Sequence, residues 1–275
     1  MDQLLIALDV ESAAKALLLA DSLRGIAGGF KIGSRLFTSE GPSIVRALVE
    51  KGDRVFLDLK FHDIPNTVAQ AVAAAASLGV WMVNVHASGG MTMMRAARDA
   101  ARETAARSGA TPPLVIAVTV LTSMNASVLA ETGHGLSQTP DSHGSSQTEA
   151  SHRSTLTKAG HRTTQINTDT SVLDQVVRLA QLAEAAGLDG VVASPRETAM
   201  IRERCGREFA IVTPGIRGGG AITIGQDDQE RTMSAGDAIA AGATYIVVGR
   251  PIIAAADPRA AAEAIVEEAG KAKNC

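Results

Sequence analysis

Short apolar runs alternate along the chain with longer stretches in which apolar residues recur at helical spacing. The runs predict eight buried strands: Gln3–Val10, Gly29–Ile32, Arg54–Lys60, Val80–His86, Leu114–Val120, Gly190–Ala193, Phe209–Thr213 and Tyr245–Gly249. The stretches between them predict eight helices: Ser12–Leu23, Ser34–Glu50, Asn66–Leu78, Thr92–Arg107, Val172–Ala186, Arg196–Arg204, Ala235–Ala241 and Pro258–Ala269. Continuous apolar strands separated by helices indicate a parallel sheet that helices cover on its outer face.

Eight strand–helix units in 275 residues favour an α/β fold of one domain, residues 1–275, closed as a (β/α)8 TIM barrel. The alternative is an open doubly wound sheet. Such a sheet typically carries a glycine-rich turn after its first strand. Here that turn is Asp9-Val10-Glu11, which contains no glycine, so the closed barrel is preferred.

One segment, residues 132–171, breaks the alternation after the fifth predicted strand. It contains a degenerate nonapeptide repeat that begins at each of four histidines: His134, His143, His152 and His161. Only five residues of the segment are apolar, too few to offset the entropy lost on ordering. We therefore predict a flexible low-complexity insertion within the barrel domain. A histidine-rich metal-binding tract is the alternative.

Composition and charge exclude several classes of protein. Hydrophobic residues make up 45% of the chain, but it has only one Trp, one Tyr and five Phe, which argues against a base-stacking nucleic-acid surface. Net charge is −3, without a polybasic region. Two cysteines, Cys205 and Cys275, make neither a disulfide framework nor a metal site. With no signal peptide or membrane-length apolar run, we expect a cytoplasmic protein without nucleic-acid or membrane partners.

Charged residues cluster where the first three predicted strands end, the face at which barrel enzymes hold their catalytic groups. Asp9 lies at the end of the first strand, and Lys31 lies on the second. Asp58 and Lys60 lie two apart on the third strand, so their side chains share a face. Four charges of alternating sign can then meet, those of Lys31, Asp58, Lys60 and Asp63. Opposite charges 4 Å apart attract by about 4 kcal/mol at a dielectric of 20. The alternative is a pair of ordinary strand-end salt bridges.

A second candidate site follows the last two predicted strands, whose loops commonly bind phosphate in such barrels. The segment Pro214–Gly220 reads PGIRGGG, and its glycines allow backbone N–H groups to approach an anion closely. Arg250 directly follows the eighth predicted strand and can bind phosphate oxygens with its guanidinium. The alternative is a flexible loop beside a surface arginine.

The stretch Asp58–Thr67, DLKFHDIPNT, resembles the signature of the orotidine 5′-phosphate decarboxylase family. Further segments resemble the family in its own order along nearly the whole chain: Ala7–Asp9, Phe30–Gly33, Val118–Ser123, Val212–Arg217, Asp228–Gln229 and Val248–Pro251. Two features depart from the family pattern. The nonapeptide segment follows the fifth strand closely, and the stretch Gly218–Asp228 is longer than usual.

The resemblance implies a homodimeric (β/α)8 barrel with shared active sites, which decarboxylates orotidine 5′-phosphate to uridine 5′-phosphate in de novo pyrimidine biosynthesis without cofactor or metal. It implies that Lys60 protonates C6 and that Asp58, Lys31 and the partner subunit's Asp63 complete the catalytic set. The implied substrate-binding residues are Asp9, Lys31, Asp58, Leu59, Lys60, Phe61, His62, Asp63, Ile64, Pro65, Asn66, Thr67, Thr122, Arg217, Gln229, Gly249 and Arg250.

Two other functions are alternatives to orotidine 5′-phosphate decarboxylation. A related sugar-phosphate decarboxylase with the same barrel would bind magnesium through an acidic residue at the end of the second strand, where this chain has Lys31. A nucleotide-monophosphate sensor would be expected to keep Arg250 but to lose Asp58 or Lys60, and both are present.

Overall fold

The computed structural model describes residues 2–131, 168–217 and 233–272. Its strands are β1 (Leu4–Ala7), β2 (Gly29–Gly33), β3 (Val55–Phe61), β4 (Met82–His86), β5 (Leu114–Val118), β6 (Gly190–Val192), β7 (Ala210–Thr213), β8 (Ile216–Arg217), β9 (Met233–Ser234) and β10 (Tyr245–Val248). Within the described residues, β1 to β7 and β10 form a closed parallel barrel, and β8 pairs separately with β9. Pairing of β1 with β10 closes the barrel and confirms the predicted fold.

Helices surround the barrel: α1 (Ala13–Leu23), α2 (Ser34–Glu40), α3 (Ser43–Glu50), α4 (Pro65–Ser77), α5 (Gly90–Ser108), α6 (Ala126–Glu131), α7 (Thr168–Ala185), α8 (Thr198–Cys205), α9 (Ala235–Ala240), α10 (Arg250–Ile253) and α11 (Pro258–Lys271). Local side chains fix some of their ends, since Ser12 caps α1 and Asp257 caps α11 through backbone N–H groups. In the described part of the chain, no helix is long and apolar enough to cross a membrane.

Three differences from the sequence prediction concern helices. The single helix predicted over Ser34–Glu50 was wrong: it is broken at Gly41, whose φ of +67° ends α2, and at Pro42. The short helices α6 and α10 were not predicted. Helix α7 begins at Thr168, so the last four residues of the predicted insertion are helical, while residues 132–167 lie outside the described part.

The strands separate two apolar layers because successive side chains point to opposite faces. On β4, Met82 lies inside the barrel in a cluster with Phe56 and Ile116. Val83 and Val85 lie outside, in the larger core between the sheet and the helices. Both layers consist of buried apolar side chains. A polar side chain that points into the barrel from β4 is therefore unusual and requires a hydrogen-bond partner.

Candidate active site

Four charged residues from three neighbouring strands meet at the end of the barrel where β1, β2 and β3 finish. Lys31 Nζ donates a hydrogen bond to Asp9 Oδ1 at 2.9 Å and lies 3.6 Å from Asp58 Oδ2. Lys60 Nζ donates to the other oxygen of Asp58, Oδ1, at 2.6 Å. The carboxylate of Asp58 therefore lies between two ammonium groups. The predicted alternation of charge is present for Lys31, Asp58 and Lys60, and Asp9 extends it on the other side of Lys31.

The surroundings of Asp58 keep its carboxylate ionised. Its side chain is only 14% exposed, and burial alone would raise its pKa. The charges of Lys31 and Lys60, together with hydrogen bonds from Lys60 and Asn84, outweigh the effect of burial, so the pKa lies below the ordinary 3.8. Asp58 is therefore an anion at neutral pH, fixed by the two cations that face it.

Lys60 reaches Asp58 through an irregular strand. The register of β3 against β4 passes from Leu57 opposite Val83 to Phe61 opposite Val85, so four residues on β3 advance while β4 advances by two. Within this bulge Lys60 has φ +53°, the one positive φ outside glycine in the described ranges. The prediction that Asp58 and Lys60 lie together is confirmed, but the bulge, and not regular strand alternation, brings them together.

Asn84 on β4 is a member of this cluster that the sequence analysis missed. Its side chain is fully buried; its Oδ1 accepts from the Lys60 backbone N–H at 2.8 Å, and its Nδ2 donates to Asp58 Oδ1 at 2.7 Å. One signal was available, since Asn84 is a lone amide inside the apolar run MVNV. A buried amide in a strand needs partners, but the sequence does not name them.

The other residues of the DLKFHDIPNT stretch lie either against the outer core or at the surface. Leu59 and Phe61 pack partly buried against the outer apolar core. Pro65 begins α4, and Asn66 and Thr67 follow, exposed, in its first turn. His62, Asp63 and Ile64 are exposed too.

Asp63 does not join the charged cluster of its own chain. Among the ion pairs of the described residues none involves Asp63, whose Oδ1 accepts from the Ile64 N–H at 2.6 Å. The predicted meeting of four charges in one chain is therefore not observed for this residue. The side chain of Ile64, the next residue, is 66% exposed. It is one of the few large apolar side chains that are exposed in the described part of the chain.

One of the residues predicted to hold a phosphate, Gly249, lies beside Asp9. Gly249 comes directly after β10 and packs against the end of β1. A methyl group placed on it would lie 3.4 Å from Ala7 Cβ and 3.7 Å from Asp9 Oδ2. Arg250 follows, exposed, as the first residue of α10. Gln229 lies outside the described residues. This places the end of β10 beside the charged cluster.

Two further predicted residues follow barrel strands at the same end of the barrel. Thr122 is half-buried in the loop between β5 and α6, and Arg217 is exposed on β8. The structure shows no contact of either with the charged cluster. Their predicted contacts with substrate remain predictions.

Two histidines lie near Lys60 without forming a metal site. The rings of His62 and His86 are 5.5 Å apart. Burial, with the charges of His62 and Lys60, lowers the pKa of His86 below its ordinary 6.5, so its ring is neutral at pH 7. Across the residues that the structure describes, no three His, Cys, Asp or Glu side chains are grouped to hold a metal ion.

Comparison with known proteins agrees with this geometry. The model of the Orotidine 5′-phosphate decarboxylase / HUMPS family matches residues 2–151 and 152–265. The chain belongs to this family. The orotidine 5′-phosphate decarboxylase of Syntrophotalea carbinolica is 48% identical, with 97% of this chain and 94% of the relative covered. That of Moorella thermoacetica is 46% identical, with 97% and 92% covered.

A solved structure of an orotidine 5′-phosphate decarboxylase, from Lactobacillus acidophilus, matches with a TM-score of 0.74 and 31% identity over 97% of this chain and 98% of that chain. The family resemblance predicted from the DLKFHDIPNT stretch is thereby confirmed, and so is the barrel. The similarity extends over the whole decarboxylase and is not restricted to one motif.

Proposed function

We propose that this chain decarboxylates orotidine 5′-phosphate, as the name of its relatives describes, to uridine 5′-phosphate, and that this reaction is its step in de novo pyrimidine biosynthesis. The observation that carries the proposal is the chain of charges Lys31–Asp58–Lys60 on a barrel of the decarboxylase family, in which Lys31 and Asp58 are largely buried and Lys60 is partly exposed. A sensor that only bound the nucleotide would not need these charges held together at the cost of desolvating them.

The chemistry requires a cation and a proton at one carbon atom. When the bond between C6 and its carboxylate breaks, carbon dioxide leaves and the electron pair stays on C6. The ammonium of Lys60, already fixed by Asp58 at 2.6 Å, stabilises that charge without reorganising and then donates a proton to C6. The amine that remains regains its proton from water. Lys60 supplies both the charge and the proton, so the proposed reaction requires no cofactor or metal.

The remaining predicted residues bind the rest of the substrate. Asp9 and Lys31, hydrogen-bonded to each other at 2.9 Å, bind ribose hydroxyls, and Thr122 contacts the pyrimidine. Gln229, Gly249 and Arg250 hold the phosphate, and Arg217 belongs to a loop that closes over it. Phosphate binding lies remote from C6, so its binding energy can be used to organise the site.

We further propose that the protein is a homodimer whose subunits share their active sites. Two observations support this arrangement: the exposed Ile64, and the absence of Asp63 from its own chain's described ion pairs. A second subunit that covers Ile64 would receive Asp63 beside its own Lys60. A twofold axis then repeats the same contact at both sites.

A magnesium-dependent sugar-phosphate decarboxylase is the weaker candidate. Its acidic ligand at the end of the second strand is replaced here by Lys31, whose ammonium lies against Asp9 and Asp58. That cation neutralises the carboxylates that a metal would need and repels a second positive charge. Decarboxylase activity that persists in excess chelator of divalent cations supports the metal-free reaction. Loss of decarboxylase activity in chelator supports the magnesium enzyme.

Incubation of the purified protein with orotidine 5′-phosphate tests the proposal, with the loss of substrate ultraviolet absorbance as the readout. We expect turnover by the wild-type chain and none by folded Lys60→Ala, which lacks the proton donor. Absence of turnover by folded wild-type protein would refute the function. Substantial turnover by Lys60→Ala would refute the role of Lys60.

Complementation tests the shared site. Two inactive variants, Lys60→Ala and Asp63→Ala, are mixed under conditions that allow subunit exchange. About half the dimers become hybrids with one intact site of two, so activity should recover to roughly a quarter of wild type. Verified hybrids without recovered activity would show that Asp63 serves its own chain.

A further inference from the structure

Asn84 serves as hydrogen-bond acceptor for one neighbouring group of the site and as hydrogen-bond donor to another. The backbone N–H of Lys60 sits in the β3 bulge, where the regular ladder with β4 is interrupted between Leu57 and Phe61. Asn84 Oδ1 accepts this N–H at 2.8 Å, while Asn84 Nδ2 donates to Asp58 Oδ1 at 2.7 Å. A single fully buried side chain thus joins the backbone of one charged residue to the carboxylate of the other.

Only a side chain with one acceptor and one donor serves both groups. Because the Lys60 N–H can only donate and the ionised Asp58 can only accept, the orientation of the Asn84 carboxamide is fixed by its partners. An aspartate at this position would place a second carboxylate against Asp58. An apolar residue would leave the partly buried Lys60 N–H without this acceptor, which is costly.

The position of Lys60 depends on this arrangement. A non-glycine residue at φ +53° persists only where the surrounding contacts hold it, and relaxation of that backbone would move the ammonium that Asp58 now holds at 2.6 Å. Asp58 Oδ1 receives two hydrogen bonds, one from Lys60 and one from Asn84. Loss of the second leaves the carboxylate free to rotate between its two lysines.

We propose that Asn84 is a positioning residue for decarboxylation, which holds Lys60 in its left-handed conformation and fixes Asp58 between Lys31 and Lys60. The inference rests on the proposed function and deepens it. Asn84 touches no reacting atom in this role, and it acts through the two charged residues that do.

The test compares Asn84→Ala and the nearly isosteric Asn84→Asp with Val85→Ala. Val85 is a matched control because it is equally buried on the same strand but points into the outer core. Three quantities are measured on each protein: kcat for orotidine 5′-phosphate, the Kd of uridine 5′-phosphate, and the pKa of Asp58 from the carboxyl signal of ¹³C-aspartate-labelled protein, assigned with Asp58→Asn.

For Asn84→Ala we expect kcat to fall by about tenfold to a hundredfold, as for a displacement of about 1 Å of a catalytic group. The Kd of uridine 5′-phosphate should change little, because the phosphate and ribose contacts lie on other strands. The pKa of Asp58 should rise in Asn84→Ala, through loss of a hydrogen bond to the charged form, and rise further in Asn84→Asp. Lys31, Lys60 and His86, the charged and titratable groups around Asp58, are unchanged in these variants.

The outcomes separate the two proposals. An unchanged kcat and an unchanged pKa of Asp58 in folded Asn84→Ala would overturn the positioning role, as would an equal pKa rise in Val85→Ala. If Asn84→Ala does not fold, Asn84→Asp decides by the same two quantities. Wild-type protein that fails to decarboxylate orotidine 5′-phosphate refutes the proposed function alone, because the titration of Asp58 still reports what Asn84 does.

Discussion

Replacement of Lys60 by glycine and by alanine should reverse the usual order of stability of these two residues. Both substitutions remove the ammonium, and both keep the backbone N–H that Asn84 accepts, so these losses cancel in the comparison. The two variants differ in the conformational free energy that a backbone φ of +53° costs at this position. That cost is about 1–2 kcal/mol for an L-residue and nearly nothing for glycine.

The magnitude follows from two opposing effects. Glycine ordinarily loses about 0.5–1 kcal/mol to alanine through the greater freedom of its unfolded chain. The left-handed penalty outweighs this loss, so Lys60→Gly should be more stable than Lys60→Ala by about 0.5–1 kcal/mol. For an m-value of about 3 kcal/mol/M, that difference moves the urea midpoint by roughly 0.2–0.3 M.

Urea unfolding at one fixed protein concentration measures the difference, since association would otherwise shift the midpoint. Lys51 provides the control because it ends α3 with an ordinary φ of −83°. Both Lys51 variants lose the same ion pair to Asp21, so Lys51→Ala should be at least as stable as Lys51→Gly. Equal or greater stability of Lys60→Ala than Lys60→Gly would show that Lys60 is not held in a strained backbone conformation.

Three further predictions concern the site. Gly33→Ala should lower turnover without unfolding the barrel, because the new methyl would lie 3.0 Å from Lys31 Nζ and 3.2 Å from Asp9 Oδ1; a wild-type kcat would contradict this. Arg250→Ala should raise KM for orotidine 5′-phosphate but not for phosphate-free orotidine, and an equal effect on both would exclude a phosphate contact. Asp58 has a lowered pKa when folded, so its ionisation stabilises the fold above about pH 3.8, and that contribution is lost as pH falls through the folded pKa. The thermal unfolding midpoint of Asp58→Asn should therefore fall less than that of wild type as the pH is lowered from 5 through the folded pKa of Asp58. Equal falls in both proteins would refute this contribution of Asp58 to stability.

The order of strands and helices follows from the sequence because periodicity is a local property. Each barrel strand was located within a few residues, and the charges of Lys31, Asp58 and Lys60 were expected at one face because parallel strands end together. The predicted helix over Ser34–Glu50 failed at Gly41, where a backbone conformation available to glycine overrode an otherwise helical pattern. The signature DLKFHDIPNT also led to the correct family.

The details of the site were decided only when the barrel closed. A lysine carries no sign in its own sequence that its φ is +53°, because that conformation is imposed by the register of β3 against β4. The same register gives Asn84 its two partners, which lie 24 and 26 residues away along the chain. Sequence alone determined which charges are present and on which strands they lie. Their distances, hydrogen bonds and the lowered pKa of Asp58 arise from contacts between strands, which no local pattern encodes.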